Sequence, residues 1–294
     1  MKRVAVIAHS GKSFGGGLDE LRELLAHEGV QPDWREVPKS KKAPAQAKQA
    51  VDEGAELVLV WGGDGMVQRC IDVLAGLPVN LGILPAGTAN LLATNLGIPK
   101  QLPEALRIAL HGRRRKLDVG KVNGERFAVM AGTGFDALMI RDAAGSLKDR
   151  VGRVAYVWTG ARHLSAERVK VKVTVDGTLW FKGPASCVLL ANVGTILGGL
   201  TPFPAASPED GVLEVAVVTA EGPLQWSRVL ARMATGQAKK SKLVRMTAGA
   251  SIEVRLAHPM PYELDGGDRK PVKRLHAVVE PGAVSIGVPE GADR

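Results

Sequence analysis

Two cysteines in 294 residues, Cys70 and Cys187, cannot make a disulfide scaffold. Each sits in an apolar run, so the sequence predicts two reduced, buried thiols. Aromatic residues are only 4% of the chain, and no recognised nucleic-acid module accompanies them; this argues against a base-stacking platform and so against a nucleic-acid partner. No apolar run reaches the length of a membrane-spanning helix. The opening MKRVAVIAHSGK has basic residues and an apolar run, but charge and glycine follow too soon for a signal peptide. Histidines show no metal-ligand spacing, and no G-x-S-x-G or Cys–His arrangement occurs. These absences predict a cytoplasmic protein that meets a membrane only from its surface.

What is present is glycine, 35 residues of it, and positive charge, with a net +9 and a pI near 9.7. The charge calls for an anionic partner: nucleotide phosphate, nucleic acid or an acidic lipid surface. Residues 1–118 alternate short apolar strands (Arg3–Ala8, Asp33–Val37, Leu57–Trp61, Leu81–Leu84) with helical stripes such as Val67, Cys70, Ile71 and Leu74. That alternation predicts a parallel sheet covered on both faces. After HGRRRKLDVG the grammar changes. Val169, Val171, Val173 and Val175 alternate with Lys170, Lys172 and Thr174, and Asp176-Gly177 leads into a second strand. Strands also read at 127–131, 186–191, 212–218, 243–247, 251–256, 275–280 and 284–288, with helices only near 136–164 and 224–235. Residues 119–294 are therefore expected to form a mostly antiparallel β domain.

The glycine loops carry the candidate chemistry. GGDG (Gly62, Gly63, Asp64, Gly65) ends a strand and opens a helix, the edge where parallel sheets bind ligands. Helix N-terminal amides favour phosphate, and a bridging Mg²⁺ would reverse the repulsion from Asp64. The stretch ILPAGTANLLATNLGIP repeats the layout one strand later, with Gly87 and Thr88 in the turn. SGKS fails the P-loop spacing because Val6 stands at its first glycine, yet Ser10, Gly11 and Lys12 offer amides and an ammonium. Each loop alone also reads as an ordinary turn, with Asp64 a helix cap. GTGFDA (Gly132–Ala137) matches G-x-G-x-x-A, but no second strand ending in an acid follows, and a glycine-packed turn is favoured over a dinucleotide site. SPEDGVLEV and YELDGGDR place Asp210 and Asp265 in acid–glycine turns.

The ordered set GGDG, LGILPAGTANLLA with NLGIP, AGTGFDA, GGLTPFPAASPEDGVLEV and LDGG, over residues 3–288, resembles the diacylglycerol kinase catalytic family of lipid kinases, which includes sphingosine and ceramide kinases. The soluble bacterial members are the most similar. The resemblance implies a phosphofructokinase-like α/β domain, here 1–118, followed by a β-sandwich domain, 119–294. It implies ATP and Mg²⁺ as cofactors and a lipid hydroxyl, most simply that of diacylglycerol, as acceptor. Carried over by position, Gly62–Gly65 and Thr88 are nucleotide loops. Asp210 with the carbonyls of Ser207 and Val212 is a structural Mg²⁺ site, and Asp265 is the general base. Such a kinase touches an anionic membrane surface, for which Arg113–Lys116 and Lys239–Lys242 are the basic runs, and the resemblance admits a homodimer.

The chain also departs from the family pattern. GGDGT-x-N-E is here GGDG followed by Met66, Gln68 and Arg69 at those places, and the final D-G-E is D-G-G, with Gly267 for the acid. Two alternatives stay open on these residues: a non-catalytic lipid- or nucleotide-binding protein on the same scaffold, and an NAD-kinase-like enzyme. The latter's Asn-Thr-Asp-Gly-Ser-Thr type segment is missing.

Overall fold

The computed structural model describes residues 3–12, 14–134, 168–195 and 201–291. The helix expected near 136–164, residues 135–137 of GTGFDA and part of the GGLT stretch lie outside them. The chain forms two compact units. One runs to Val119 and resumes at Pro281; the other is Gly120–Glu280.

The first unit opens βαβ. Strands β1 (Val4–His9), β2 (Asp33–Val37), β3 (Leu57–Gly62) and β4 (Asn80–Pro85) are all parallel, in the order β2-β1-β3-β4. Every residue of β3 is buried, as a strand covered on both faces requires. Helices α1 (Gly17–His27), α2 (Ala43–Asp52), α3 (Asp64–Leu74), the short α4 (Leu91–Asn95) and α5 (Leu102–His111) connect the strands. Val67, Cys70, Ile71 and Leu74 form the buried stripe of α3. The chain turns from one side of β1 to the other between β2 and β3, so the carboxyl ends of β1 and β3 make a topological switch point.

Two features of this unit were not read from the sequence. The basic run Arg113–Lys116 opens a ten-residue strand, β5 (Arg113–Val122), and Arg114 turns inward. Its Nη2 donates to the carbonyls of Ala109 and Leu110 at 2.7 and 3.0 Å, closing the C-terminus of α5. This arginine is committed to a helix end and not to a lipid headgroup. The C-terminal strand also belongs here: Ser285 and Ile286 pair with Asn80 and Leu81 of β4 in parallel. An apolar strand carries no mark of which sheet it joins, and long-range pairing decided it.

The second unit is antiparallel. Its strands are β6 (Glu125–Phe127), β7 (Met130–Gly134), β8 (Val169–Val175), β9 (Thr178–Ala185), β10 (Cys187–Ala191), β11 (Leu213–Val218), β12 (Val244–Gly249), β13 (Ser251–Leu264) and β14 (Gly267–Val288), the last running on into the first unit. β12-β11-β10-β7-β13 are neighbours in that order. β13 serves two partners. Residues 252–256 pair with β8, residues 262–264 with β7, and the register shifts around Met260. Pro259 and Pro261 lie in that stretch and lack the N–H groups a continuous ladder needs. Val171, Val173, Leu190, Val215, Val254 and Leu275 pack in one hydrophobic core of this unit. Helix α6 (Gly222–Ala234) follows β11. The two cysteines are buried and form no disulfide, and burial pushes the Cys70 thiol up to about 12.

Candidate functional site

Three loops leave the carboxyl edge of the parallel sheet side by side, after β1, β3 and β4. The register Ala8↔Trp61 and Gly62↔Pro85 aligns the strand ends. The second and third loops are locked together. Ala86 N–H donates to Gly62 O at 2.9 Å. Cα of Gly63 lies 2.5 Å from where a Gly87 Cβ would stand, and Gly62 is covered by the Met66 side chain, with Sδ 2.7 Å from its own missing Cβ. Gly63 and Gly87 are therefore required by loop-on-loop packing, and Gly62 leaves room for the Met66 side chain. Gly65 alone meets nothing within 4 Å and opens outward at the N-terminus of α3. The open space along this tetrapeptide is at Gly65.

Asp64 does not cap its own helix. It is the first residue of α3, and its Oδ1 accepts the Leu92 N–H of α4 at 3.4 Å. Burial pushes its carboxyl above the ordinary value, opposed by amides of Leu92, Leu91, Asn90 and Asp64 itself. Asn90, which the sequence reading passed over, holds the other side of the loop. It takes φ +50, a left-handed conformation Asn tolerates, and both exchanges with Gly87 come from its side chain at 2.9 and 2.8 Å. Thr88 is exposed at the tip.

The turn after β1 differs from expectation. The Ser10 amide donates to Val37 O at 3.0 Å, Gly11 N–H to His9 Nδ1 at 3.1 Å and Lys12 N–H to His9 O at 3.1 Å. The protein itself takes all three amides, so the Lys12 side chain is what this turn presents to an anion. Burial, and then Lys12, lower the His9 pKa, which suits a neutral ring accepting at Nδ1.

In the second unit, Asp265 and Gly266 take φ +46 and +78 and form the tight turn between β13 and β14. The Asp265 side chain is buried. Its Oδ2 accepts Ala128 N–H at 2.7 Å and its Oδ1 accepts Val129 and Met130 N–H at 2.9 Å each. This interrupts the strand expected at 127–131, which is two strands, β6 and β7. Asn192 adds Nδ2 to Ala128 O at 2.9 Å. Asp265 has two counterparts. Asp176 and Asn123 also open Asx-Gly turns with φ +46 and +50. Asp176 accepts the amides of Ala250 and Ser251, and Asn123 exchanges bonds with His276 N–H and Arg274 O. In all three a short polar side chain on a left-handed residue clasps a neighbouring backbone. AGTG, in turn, is the antiparallel strand β7, where Gly134 lies so close to Ser186 O that a Cβ would stand 2.2 Å from it. That explains its glycine without a dinucleotide.

Asp210 is exposed, and its Oδ1 accepts Val212 N–H at 3.1 Å. Among the described residues no three acidic, histidine or cysteine side chains gather into a metal cluster. The Asp210 carboxylate with the Ser207 and Val212 carbonyls is an all-oxygen donor set, the chemistry Mg²⁺ accepts while keeping several waters. Glu214 lies nearby on β11, 7% exposed. Burial first, and the Asp210 charge as well, push its carboxyl up, and Lys239 pulls it down.

The fold is shared with kinase structures. A diacylglycerol kinase from Bacillus anthracis superposes with a TM-score of 0.74 at 19% identity, covering 99% of this chain and 98% of that one. An NAD kinase from Archaeoglobus fulgidus, solved with ATP, gives 0.57 at 12% identity, covering 99% and 95%. Residues 3–122 match the diacylglycerol kinase catalytic domain, and residues 129–288 match the YegS C-terminal NAD kinase beta sandwich-like domain. The chain therefore belongs to the diacylglycerol kinase catalytic family of lipid kinases. Curated relatives include the diacylglycerol kinase of Bacillus subtilis, 27% identical over 90% of each chain. A Cronobacter sakazakii protein named as a YegS-like lipid kinase is 28% identical over 91% of this chain and 89% of its own.

Proposed function

We propose that the chain transfers the γ-phosphoryl group of Mg-ATP to the hydroxyl of diacylglycerol, giving phosphatidic acid. The carrying observation is the pair of interlocked loops, Gly62–Gly65 and Gly87–Asn90, at the switch-point edge of the parallel sheet. The Gly65 end of α3, and Lys12 in the loop after the neighbouring strand β1, are the amide and the ammonium suited to phosphate. Mg²⁺, when bound, would neutralise charge on the phosphates, and in the first unit Asp64 is the carboxylate of the glycine loops suited to approach it. In the transfer the lipid oxygen bonds to phosphorus, the bond to the ADP oxygen breaks, and the hydroxyl proton passes to a carboxylate. The family resemblance assigns that proton to Asp265. Its lone pairs hold three amides, so accepting a proton there means giving up a structural bond. Asp64, in the other unit, is likewise engaged by backbone amides, those of Leu92, Leu91, Asn90 and its own, so the proton acceptor stays with Asp265 as the resemblance has it.

The test is purified protein with labelled ATP and Mg²⁺ against a panel of diacylglycerol, sphingosine and ceramide in mixed micelles, with NAD as a separate acceptor. Labelled phosphatidic acid is expected. NADP formation, or tight ATP binding with no phosphorylated lipid, overturns the proposal.

A further inference from the structure

Helix α6 carries apolar residues on two faces. Trp226, Val229 and Met233 recur at i, i+3 and i+7 and are buried, as a surface helix of this unit requires. A second strip faces outward: Pro223, Leu224, Ser227, Leu230 and Ala231 are all exposed, and at 100° per residue they fall within about a third of the circumference. Leu224 is 66% and Leu230 45% exposed, among the few large apolar side chains so placed. A lone exposed leucine needs no explanation, but a strip of this composition does.

Its surroundings choose the occupant. From Gly222 to Lys242 the sequence holds Arg228, Arg232, Lys239, Lys240 and Lys242 and no acidic residue. Arg228 and Arg232, one turn apart and both exposed, border the Leu224 edge of the apolar strip. Arg232 donates to the Lys240 carbonyl, which fastens the lysine-bearing turn at Ala238–Lys240 to the helix. The adjoining Glu221 is ion-paired with Arg168 at 2.6 Å. An apolar strip bordered by exposed cations matches a bilayer with anionic headgroups. We propose that α6 and the lysine turn after it form the membrane-docking surface of this protein, with Leu224 and Leu230 entering the acyl boundary and the five basic residues meeting anionic lipid headgroups. The proposal rests on the lipid-kinase reading for its purpose, since the acceptor lipid lives in a bilayer, but not for its physics.

The experiment is flotation of the full chain with vesicles of phosphatidylcholine alone and of phosphatidylcholine mixed with phosphatidylglycerol. The wild type is expected to prefer the mixed vesicles and to lose that preference in high salt. The double variant Leu224→Ser, Leu230→Ser is expected to bind mixed vesicles about tenfold more weakly. Arg228→Ala, Lys239→Ala and Lys240→Ala together should weaken binding to mixed vesicles by at least about tenfold and leave binding to phosphatidylcholine unchanged. Both variants should phosphorylate micellar diacylglycerol at the wild-type rate. Wild-type indifference to anionic lipid, or variants that float like the wild type, overturns the docking surface. A wild-type dimer that the leucine variant makes monomeric in light scattering also overturns it, by giving the strip to a second copy. Retained vesicle binding without any lipid phosphorylation leaves the docking surface standing and removes the kinase reading instead.

Discussion

The Asp64 carboxylate, at the first residue of α3, accepts the Leu92 amide of α4, 28 residues away in sequence. One side chain thus joins the two loops that bear the nucleotide-site candidates.

Asp64→Asn separates chemistry from architecture. An acid with a raised folded pKa binds more protons folded than unfolded, between its ordinary value and the raised one. Its stabilising contribution is present below that window and lost as pH rises through it. At neutral pH the buried charge is a net cost, and Asn removes the charge while keeping an acceptor for Leu92. The expected result is an equal or higher Tm at neutral pH, no such gain in acid, and a kcat lower by about 10²-fold or more. Melting curves against pH and a steady-state assay measure both.

Gly87→Ala and Gly65→Ala should behave oppositely. A Cβ on Gly87 would stand 2.5 Å from Gly63 Cα and 2.7 Å from Asn90 Oδ1. Relief needs backbone movement, costing about 1–3 kcal/mol. At Gly65 the space is open and the residue is helical, so Ala should be neutral or stabilising by up to about 1 kcal/mol. If the Gly65 amide faces phosphate, that stable variant has a raised KM for ATP. Denaturant unfolding and an ATP titration decide between these outcomes.

Asp265→Asn tests base against clasp. Asn tolerates the left-handed backbone at this position, so the change is confined to the side chain. Its amide group must turn a donor toward at least one of three donated N–H groups. A loss of about 2–4 kcal/mol in stability is expected. Unchanged stability with abolished kcat would make Asp265 a general base and not a clasp.

Asp210 and Mg²⁺ are checked without any turnover. Added Mg²⁺ should raise the Tm of the wild type by a few degrees through preferential binding to the folded state. Asp210→Ala should abolish that shift. A wild-type Tm insensitive to both Mg²⁺ and chelator would remove the structural ion from the proposal.

The parts of this protein that were legible in its sequence were those with local causes. The all-buried run Leu57–Trp61, the α3 stripe and the Val169–Val175 alternation each follow from burial on a fixed period. Asp-Gly at 176–177 announced a hairpin because a type I′ turn needs two positive φ angles. The order of glycine motifs carried the family. What the sequence could not display was which group each polar atom would meet. The amides of Ser10, Gly11 and Lys12 read as open to phosphate, but Val37 and His9 take them, and nothing local forecasts a partner 27 residues away. Arg114 read as part of a basic patch, yet the end of α5 claims it. Gly63 and Gly87 looked like room for a ligand, and each proved to be room for the other.

Periodicity, turn chemistry and motif order are properties of neighbouring residues, and by themselves they determined two differently built halves and a kinase-type arrangement of loops. Only tertiary structure decided the rest. It sent the C-terminal strand back to β4, set Asp64 against α4 and closed Asp265 on three backbone amides. Each of these satisfies a buried hydrogen-bonding or apolar group with a partner remote in sequence, and that pairing exists only once the chain has closed on itself.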